Sequence, residues 1–209
     1  IPAAERFGMI ETLDRHIVAK ALTHLVDVRS KVGYFINLSG TTLGSPGFPA
    51  FLGKLLDQLP QVDAGRLCFE VTETAAISDI RRTAAAMREL SARGIHFALD
   101  DFGSGMATFV YLQQLPVHFV KIEGDFVKAI LESEASSIIV ESVARLAKCM
   151  GMQTIAEAVE TPELLAALRP LGVHYGQGFA LHMPEDLETA VRCLQTRSRP
   201  QRNAGSGRG

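Results

Sequence analysis

Short apolar runs alternate with longer amphipathic stretches along the chain. One stretch, 11–28, carries an apolar stripe at helical spacing that comprises Leu13, Ile17, Ala21, Leu22 and Leu25. Six runs have the length and composition of buried strands, at 33–38, 66–72, 95–100, 118–122, 152–158 and 173–177. Strands that alternate with helices predict a parallel sheet covered by helices.

Cap residues mark the ends of several predicted helices. In the stretch 78–94, Ser78 is expected to cap the start of a helix and Gly94 to end it. Pro162 directly follows Thr161, which predicts another helix start because proline suits the first helical position.

Six predicted strands fit two architectures. A closed eight-stranded barrel needs two more strands and usually about 250 residues, whereas this chain has 209. The sheet is therefore either open or belongs to a barrel whose N-terminal part is absent from this chain. The stretch 197–209 contains arginine, glycine and serine but no acidic residue, which predicts a disordered tail after one domain at 1–196.

Composition narrows the class of protein. A hydrophobic content of 47% is ample for one packed domain, and a net charge of -2 gives no basic field that would attract nucleic acid or a membrane surface. Cys68, Cys149 and Cys193 are widely spaced in apolar surroundings, so we expect reduced core thiols. No run is typical of a membrane-spanning helix. We expect a cytoplasmic domain that is part of a longer protein. The sequence does not decide whether that parent protein is anchored in a membrane.

Polar residues of the catalytic or metal-binding type lie at or near the C-terminal ends of the predicted strands. They are Asn37, Glu70 with Glu73, Asp100 with Asp101, Lys121, Glu157 and Gln177. In parallel α/β folds these strand ends meet at one mouth, where active sites are built. We therefore expect the side chains to share one functional site.

The residue types indicate what this mouth could bind. Carboxylate and amide oxygens suit Mg²⁺ or Mn²⁺, and the set contains no histidine, which argues against zinc. Asp100 and Asp101 repel each other as neighbours and need a positive partner. Two metal ions about 3.5–4 Å apart, bridged by a carboxylate, would supply it and are typical of displacement at phosphorus.

Each polar residue also has an ordinary structural interpretation. Adjacent aspartates can cap a helix, and a lysine at a strand end such as Lys121 can extend to the surface. Glu70 with Glu73 can be a solvated strand end, and Gln177 a turn residue. His96 and His118 have no predicted role. The coincidence of so many polar residues on successive strands favours the shared site.

The polar residues fall into six ordered motifs. These read Asn37-Leu38-Ser39, Glu70-Val71-Thr72-Glu73, Asp100-Asp101-Phe102-Gly103, Lys121-Ile122-Glu123, Ala156-Glu157-Ala158-Val159-Glu160 and Gln177-Gly178. In this order they resemble the motifs of the EAL domain, and the resemblance runs from Ile1 to about Pro184. That family comprises cyclic di-GMP phosphodiesterases and degenerate, non-catalytic receptors.

The resemblance implies a fold and an activity. The fold would be a modified TIM-type (β/α)8 barrel, N-terminally incomplete in this chain. The activity would be metal-dependent hydrolysis of cyclic di-GMP to linear pGpG in bacterial signalling. The implied partners are cyclic di-GMP, a second copy of the chain in a homodimer, and an upstream sensory or GGDEF-type domain in the parent protein.

The resemblance also implies roles for the residues. Asn37, Glu70 and Asp100 would bind one Mg²⁺ or Mn²⁺ ion, and Asp100 with Asp101 would bind the second. Lys121 and Glu157 would hold and activate the attacking water. Gln177 would help to shape the mouth, and Glu73 would anchor the loop after Asp101, which in this family couples metal binding, substrate binding and dimerisation.

Three departures from the family pattern bear on function. The Glu-Ala-Leu motif does not occur in the 209 residues. In the family it lies upstream of the segment matched by residues 1–10, together with a metal-ligating glutamate, a substrate-binding arginine and the first strands. Met106, Ala107 and Thr108 stand where a tyrosine and paired serines are more usual, and Glu123 and Ala158 replace Asp and Gly. A degenerate, non-catalytic cyclic di-GMP receptor or interaction domain is therefore the alternative function.

Overall fold

The computed structural model describes residues 2–27, 32–103 and 109–197. Its strands are β1 Tyr34–Asn37, β2 Leu67–Thr72, β3 His96–Phe102, β4 Phe119–Ile122, β5 Gln153–Ala156 and β6 Tyr175–Gly176. Its α-helices are α1 Pro2–Arg6, α2 Ile10–Asp27, α3 Gly40–Leu43, α4 Gly47–Gln58, α5 Glu73–Ser78, α6 Ile80–Ser91, α7 Phe109–Leu112, α8 Gly124–Ala129, α9 Glu134–Cys149, α10 Pro162–Leu168 and α11 Leu187–Arg197. Apart from Arg197 at the end of α11, the tail expected at 197–209 lies outside the described residues, as do Met106, Ala107 and Thr108.

All six predicted strands are confirmed, and they form one parallel sheet in the order β1-β2-β3-β4-β5-β6. The sheet curls into part of a barrel, so the prediction of an incomplete barrel is confirmed as well. The strand ends are in step, with Asn37 opposite Glu70 and Thr72 opposite Asp100. The C-terminal ends of the strands therefore lie along one edge.

Alternation along the strands separates a helix-facing side from a concave side. On the helix-facing side, Phe69, Phe97 and Val120 are fully buried in the core that they form with the helices. Burial of such side chains stabilises the fold by about 1.5–3 kcal/mol each. On the concave side, Phe35 and Tyr175 keep 45% and 50% exposure. This open inner face is what an incomplete barrel leaves uncovered.

The apolar stripe expected on α2 is partly wrong. Leu13 and Ile17 are 36% and 40% exposed, whereas Asp14 and Val18 are buried. Asp14 can occupy a core-facing position because its Oδ2 accepts hydrogen bonds from Ser39 Oγ at 2.7 Å and from Thr42 Oγ1 at 2.6 Å. The helix therefore tethers the turn that follows β1.

Two further local predictions need correction. The N-cap of α6 is Asp79, whose side chain accepts a hydrogen bond from Arg82 N, while Ser78 is the last residue of α5. Cys149 is exposed at the end of α9, where its side chain faces solvent instead of the core. Thr161 does cap α10 with Pro162 behind it, as predicted. Among the described helices, none is both long enough and apolar enough to span a bilayer.

Candidate active site

Two neighbouring residues, near the C-terminal ends of β1 and β2, form the first part of the mouth, which is the edge where the C-terminal ends of the strands meet. Asn37 and Glu70 are register partners, and both line a cavity of about 580 Å³ that Asp100 and Asp101 also line. Asn37 is exposed, while Glu70 is buried. An amide and a carboxylate side chain are thus placed at neighbouring strand ends, as the sequence predicted.

A β-bulge brings the two adjacent aspartates to the same place. Pairing passes from Leu99 opposite Val120 to Phe102 opposite Ile122, so β3 carries one extra residue there. Neighbouring side chains of a regular strand point to opposite faces, and bulges re-aim them, often next to active sites. Asp101 adopts a left-handed φ of 55° at this bulge. As a result, Asp100, Asp101 and Glu157 each offer a carboxylate oxygen within 4.8 Å of the others.

Lys121 stands at the centre of these carboxylates. Its Nζ lies 2.6 Å from Glu157 Oε1, 2.8 Å from Asp100 Oδ1 and 3.1 Å from Glu70 Oε2. The side chain is only 3% exposed, so the interpretation as a lysine extending to the surface is wrong. Burial alone would lower the pKa of Lys121, but hydrogen bonds to Asp100 and Glu157 and the charge of Glu70 outweigh it and raise the pKa. Lys121 is therefore firmly protonated.

One lysine does not balance the acidic residues around it. Burial raises the pKa of Glu70; Lys121 opposes this rise, and the charges of Asp100 and Glu157 add to it. Three carboxylates, at Glu70, Asp100 and Glu157, pair with one ammonium group among the described residues of the mouth. Ionised together, these three leave an excess of two negative charges. This excess fits the binding of divalent cations by oxygen ligands.

Glu123 also belongs to this acidic region, although the sequence did not single it out as a site residue. Partial burial and then the charges of Asp125, Asp101 and Glu157 raise the pKa of Glu123. Its place in the chain, two residues beyond Lys121 in the same motif, was the available signal.

The two remaining predicted residues lie at the margins of the mouth. Gln177 is exposed and lines a smaller cavity beside Glu157, and its backbone N–H donates to Ala156 O at 2.8 Å. Glu73 is buried, and its Oε2 accepts a hydrogen bond of 3.2 Å from Gly103 N, directly after the bulge. The structure therefore places every predicted site residue at or beside one edge of the sheet.

Comparison with protein families identifies the family to which a chain with this arrangement belongs. Residues 1–184 match the family described as the EAL domain. The chain belongs to the EAL domain family. This EAL domain is 38% identical over 201 residues to cyclic di-GMP phosphodiesterase PdeB of Shewanella oneidensis, covering 94% of this chain and 23% of that protein. It is 35% identical over 186 residues to cyclic di-GMP phosphodiesterase PdeA of Borreliella burgdorferi, covering 88% and 28%.

Solved structures support the fold of this EAL domain. A structure described as PaMucR phosphodiesterase in complex with c-di-GMP aligns with a TM-score of 0.84 at 26% identity, covering 90% of this chain and 78% of that one. The curated relatives are much longer, since this EAL domain spans about a quarter of their length. Both of these relatives are named as cyclic di-GMP phosphodiesterases.

Proposed function

We propose that this EAL domain hydrolyses one phosphodiester bond of cyclic di-GMP to give linear pGpG, with Mg²⁺ or Mn²⁺ as cofactor. The observation that carries the proposal is the bulge of β3, which gathers Asp100, Asp101 and Glu157 beside a buried lysine. Relatives named as cyclic di-GMP phosphodiesterases provide independent support.

The excess of negative charge suits two divalent cations. Asn37, Glu70 and Asp100 would hold one ion, and Asp100 with Asp101 would hold the other. When bound, such ions offset the charge of the phosphate oxygens and lower the pKa of a bound water. The close approach of Asp100 and Asp101 at the bulge fits this shared use of one carboxylate.

Lys121 and Glu157 would position the attacking water. The Glu157 carboxylate is half-buried and accepts a hydrogen bond from Lys121 Nζ at 2.6 Å, which fixes its orientation at the mouth. A carboxylate held this way can accept a proton from water as the water attacks phosphorus. Gln177 would help to shape the mouth at its rim, and Glu73 would hold the start of the loop after the bulge.

A turnover assay tests the proposal. The chain is incubated with cyclic di-GMP in excess Mg²⁺ and then Mn²⁺, and pGpG is followed by chromatography, with Asp100→Asn as the control. Product that disappears in the control supports the phosphodiesterase. A folded protein that neither binds nor cleaves the nucleotide would contradict the proposal.

The second candidate function is a non-catalytic cyclic di-GMP receptor. Met106, Ala107 and Thr108 favour it, because the family pattern more often has a tyrosine and paired serines at these positions. A receptor would bind the nucleotide without producing pGpG and with little dependence on divalent ions. The same assay, paired with calorimetric binding, separates the two candidates.

Assembly and context form a further part of the proposal. The relatives are about four times longer than the matched region, which supports additional domains in the parent protein, of the sensory or GGDEF type upstream. The resemblance also supports a homodimer formed near the Asp101 loop. Sedimentation velocity of the chain with and without cyclic di-GMP tests the dimer, and a monomer in both conditions would contradict it.

A further inference from the structure

The segment that carries Glu157 has an unusual backbone. Ala158, the next residue, adopts a left-handed φ of 50°, which residues with a side chain rarely do outside functional sites. Hydrogen bonds hold the segment on both sides. Glu157 N donates to Ile122 O at 3.2 Å, and Val159 N donates to Gln177 O at 3.0 Å. The left-handed turn therefore lies between two anchored residues and directs the Glu157 side chain.

Gly124 packs directly against this turn. It is the first residue of α8 and follows Lys121 by three positions. Its own φ lies outside the left-handed region, so its backbone conformation does not require glycine. A Cβ at this position would lie 2.8 Å from the Cβ of Ala158, closer than two carbon atoms approach. Contact with Ala158 is therefore what requires glycine at position 124.

The other side of the segment is equally close. A Cβ on Gly178 would lie 2.3 Å from the backbone N of Val159, and no side-chain movement could relieve that clash. Residues 157–159 are thus confined between two glycines, one after β4 and one after β6.

The same kind of contact recurs elsewhere on the mouth. Gly40 is the first residue of α3 and follows Asn37 by three positions. A Cβ there would lie 2.9 Å from the Cβ of Ala75, which lies in α5 after β2. In both cases a glycine that follows one strand meets an alanine that follows the neighbouring strand. Both contacts lie directly beyond residues of the proposed site.

We infer that Gly124 is a positioning residue for Glu157. Without a Cβ at position 124, the left-handed turn at Ala158 can keep the Glu157 carboxylate 2.6 Å from Lys121 Nζ. A methyl group at 124 pushes Ala158 away and moves Glu157 off Lys121. The consequence for turnover rests on the proposed phosphodiesterase activity, whereas the consequence for the Glu157–Lys121 contact does not.

The experiment compares three variants with the unmodified chain. Gly124→Ala introduces the clash, and the double variant Gly124→Ala with Ala158→Gly removes it by deleting the opposing methyl group. Gly47→Ala is the matched control, because Gly47 is also the first residue of a helix, and its added Cβ would meet the flexible end of Arg15 at 3.0 Å and the Ser45 hydroxyl at 4.0 Å. Thermal unfolding checks that each variant is folded.

Two readouts separate positioning from stability. The first is the ¹H–¹⁵N resonance of the Lys121 ammonium group, which is visible when buried pairing slows proton exchange. The second is turnover of cyclic di-GMP, separated into kcat and KM. Gly124→Ala is expected to shift or broaden the Lys121 resonance and to lower kcat by about 10–100-fold with little change in KM. The double variant is expected to restore both readouts, and Gly47→Ala to change neither.

Several outcomes would overturn the inference. One is a Gly124→Ala protein that melts at a lower temperature but keeps the Lys121 resonance and kcat. Another is a double variant that fails to restore the resonance, and a third is an unmodified chain in which the Lys121 resonance is absent. If the unmodified chain shows the resonance but no turnover, the proposed function fails, and the resonance still decides the role of Gly124.

Discussion

The two ends of the sheet both carry ionisable side chains, but these side chains have different partners. At the N-terminal end, His118 Nδ1 accepts a hydrogen bond from Phe97 N at 3.3 Å, and His174 Nδ1 accepts one from Thr154 N at 3.1 Å. At the C-terminal end, Lys121 is paired with Glu70, Asp100 and Glu157. The two histidines at one end accept backbone N–H groups, whereas Lys121 at the other end pairs with three carboxylates.

This difference separates structural from functional polar residues. A histidine that accepts a hydrogen bond from a backbone N–H satisfies a donor of the fold, which is a structural role. The cluster of carboxylates around Lys121 carries excess charge, which folding alone would not select. The kind of partner, more than burial or residue type, distinguishes the end of the sheet that carries the proposed site.

The largest expected effect comes from removing the lysine of the mouth. Lys121→Met leaves the buried Glu70 and its neighbours without their ammonium partner, which is expected to lower the free energy of unfolding by about 3–5 kcal/mol. Turnover should also be lost. Urea unfolding at pH 7 measures the stability.

Lys128→Met is the matched control for this change. Lys128 forms an ion pair of 2.9 Å with Glu160, but both side chains are about half-exposed. No measurable change in stability is expected, because exposed pairs contribute little. Equal urea midpoints for Lys121→Met and the unmodified chain would show that the mouth is not held by Lys121.

Removal of divalent ions should have the next largest effect, with a complete loss of turnover and a partial loss of stability. Because Lys121 pairs with three of the carboxylates, we expect a chelator to abolish pGpG formation and leave the protein folded. Loss of one ion present at one hundred times its Kd costs about 2.7 kcal/mol, which lowers the melting temperature of a domain of this size by about 5–11 °C. Circular dichroism during chelation measures this. Unfolding at room temperature would contradict a mouth assembled by Lys121.

A smaller effect is expected from the residue that holds the segment after the bulge. Glu73→Ala removes the acceptor of the 3.2 Å hydrogen bond from Gly103 N in a buried position. The loss of a hydrogen bond to a charged group costs about 1.5–3 kcal/mol, and turnover should fall because the loop start is released. Glu73→Gln keeps an acceptor oxygen and should therefore retain part of the stability and part of the turnover. Faster hydrogen exchange at the Gly103 amide in Glu73→Ala is the direct measurement, and unchanged exchange would contradict the role of an anchor.

The strands and their parallel sheet could be predicted because short apolar runs at regular separation have few alternative interpretations. The mouth could be predicted for the same reason, since parallel strands bring their C-terminal ends together whatever lies between them. The bulge could not. Regular alternation places Asp100 and Asp101 on opposite faces, and only the extra residue of β3 and the left-handed φ of Asp101 bring their carboxylates together.

Helix faces were harder to predict than strands because hydrophobicity does not report hydrogen-bonded polar residues. On α2, the core-facing position taken by Asp14 depends on partners 25 and 28 residues away in the chain, Ser39 and Thr42. A stripe drawn through apolar residues alone therefore selected Leu13 and Ile17, which line the cavity beside Asn37. For the same reason the local pattern assigned the cap of α6 to Ser78 instead of Asp79.

The smallest expected effect tests the N-terminal end of the sheet. Burial, and then the charge of the neighbouring His96, lower the pKa of His118. His118 also needs an unprotonated Nδ1 to accept the hydrogen bond from Phe97 N. The unfolded chain therefore binds this proton more readily than the folded one. Stability is fully present above the unfolded pKa of about 6.5 and is lost as the pH falls from there toward the lowered folded pKa.

His118→Asn replaces the accepting nitrogen with an amide oxygen that does not titrate. We expect the free energy of unfolding at pH 7.5 to be nearly unchanged. Between about pH 6.5 and 5, the variant should lose less stability than the unmodified chain, by about 1 kcal/mol or less. His16→Asn, at an exposed position of α2, should leave the pH dependence as it is. Urea midpoints across this range measure both variants. If His118→Asn keeps the full acid sensitivity, the titrating group lies elsewhere, and the N-terminal end of the sheet is not held by a neutral histidine.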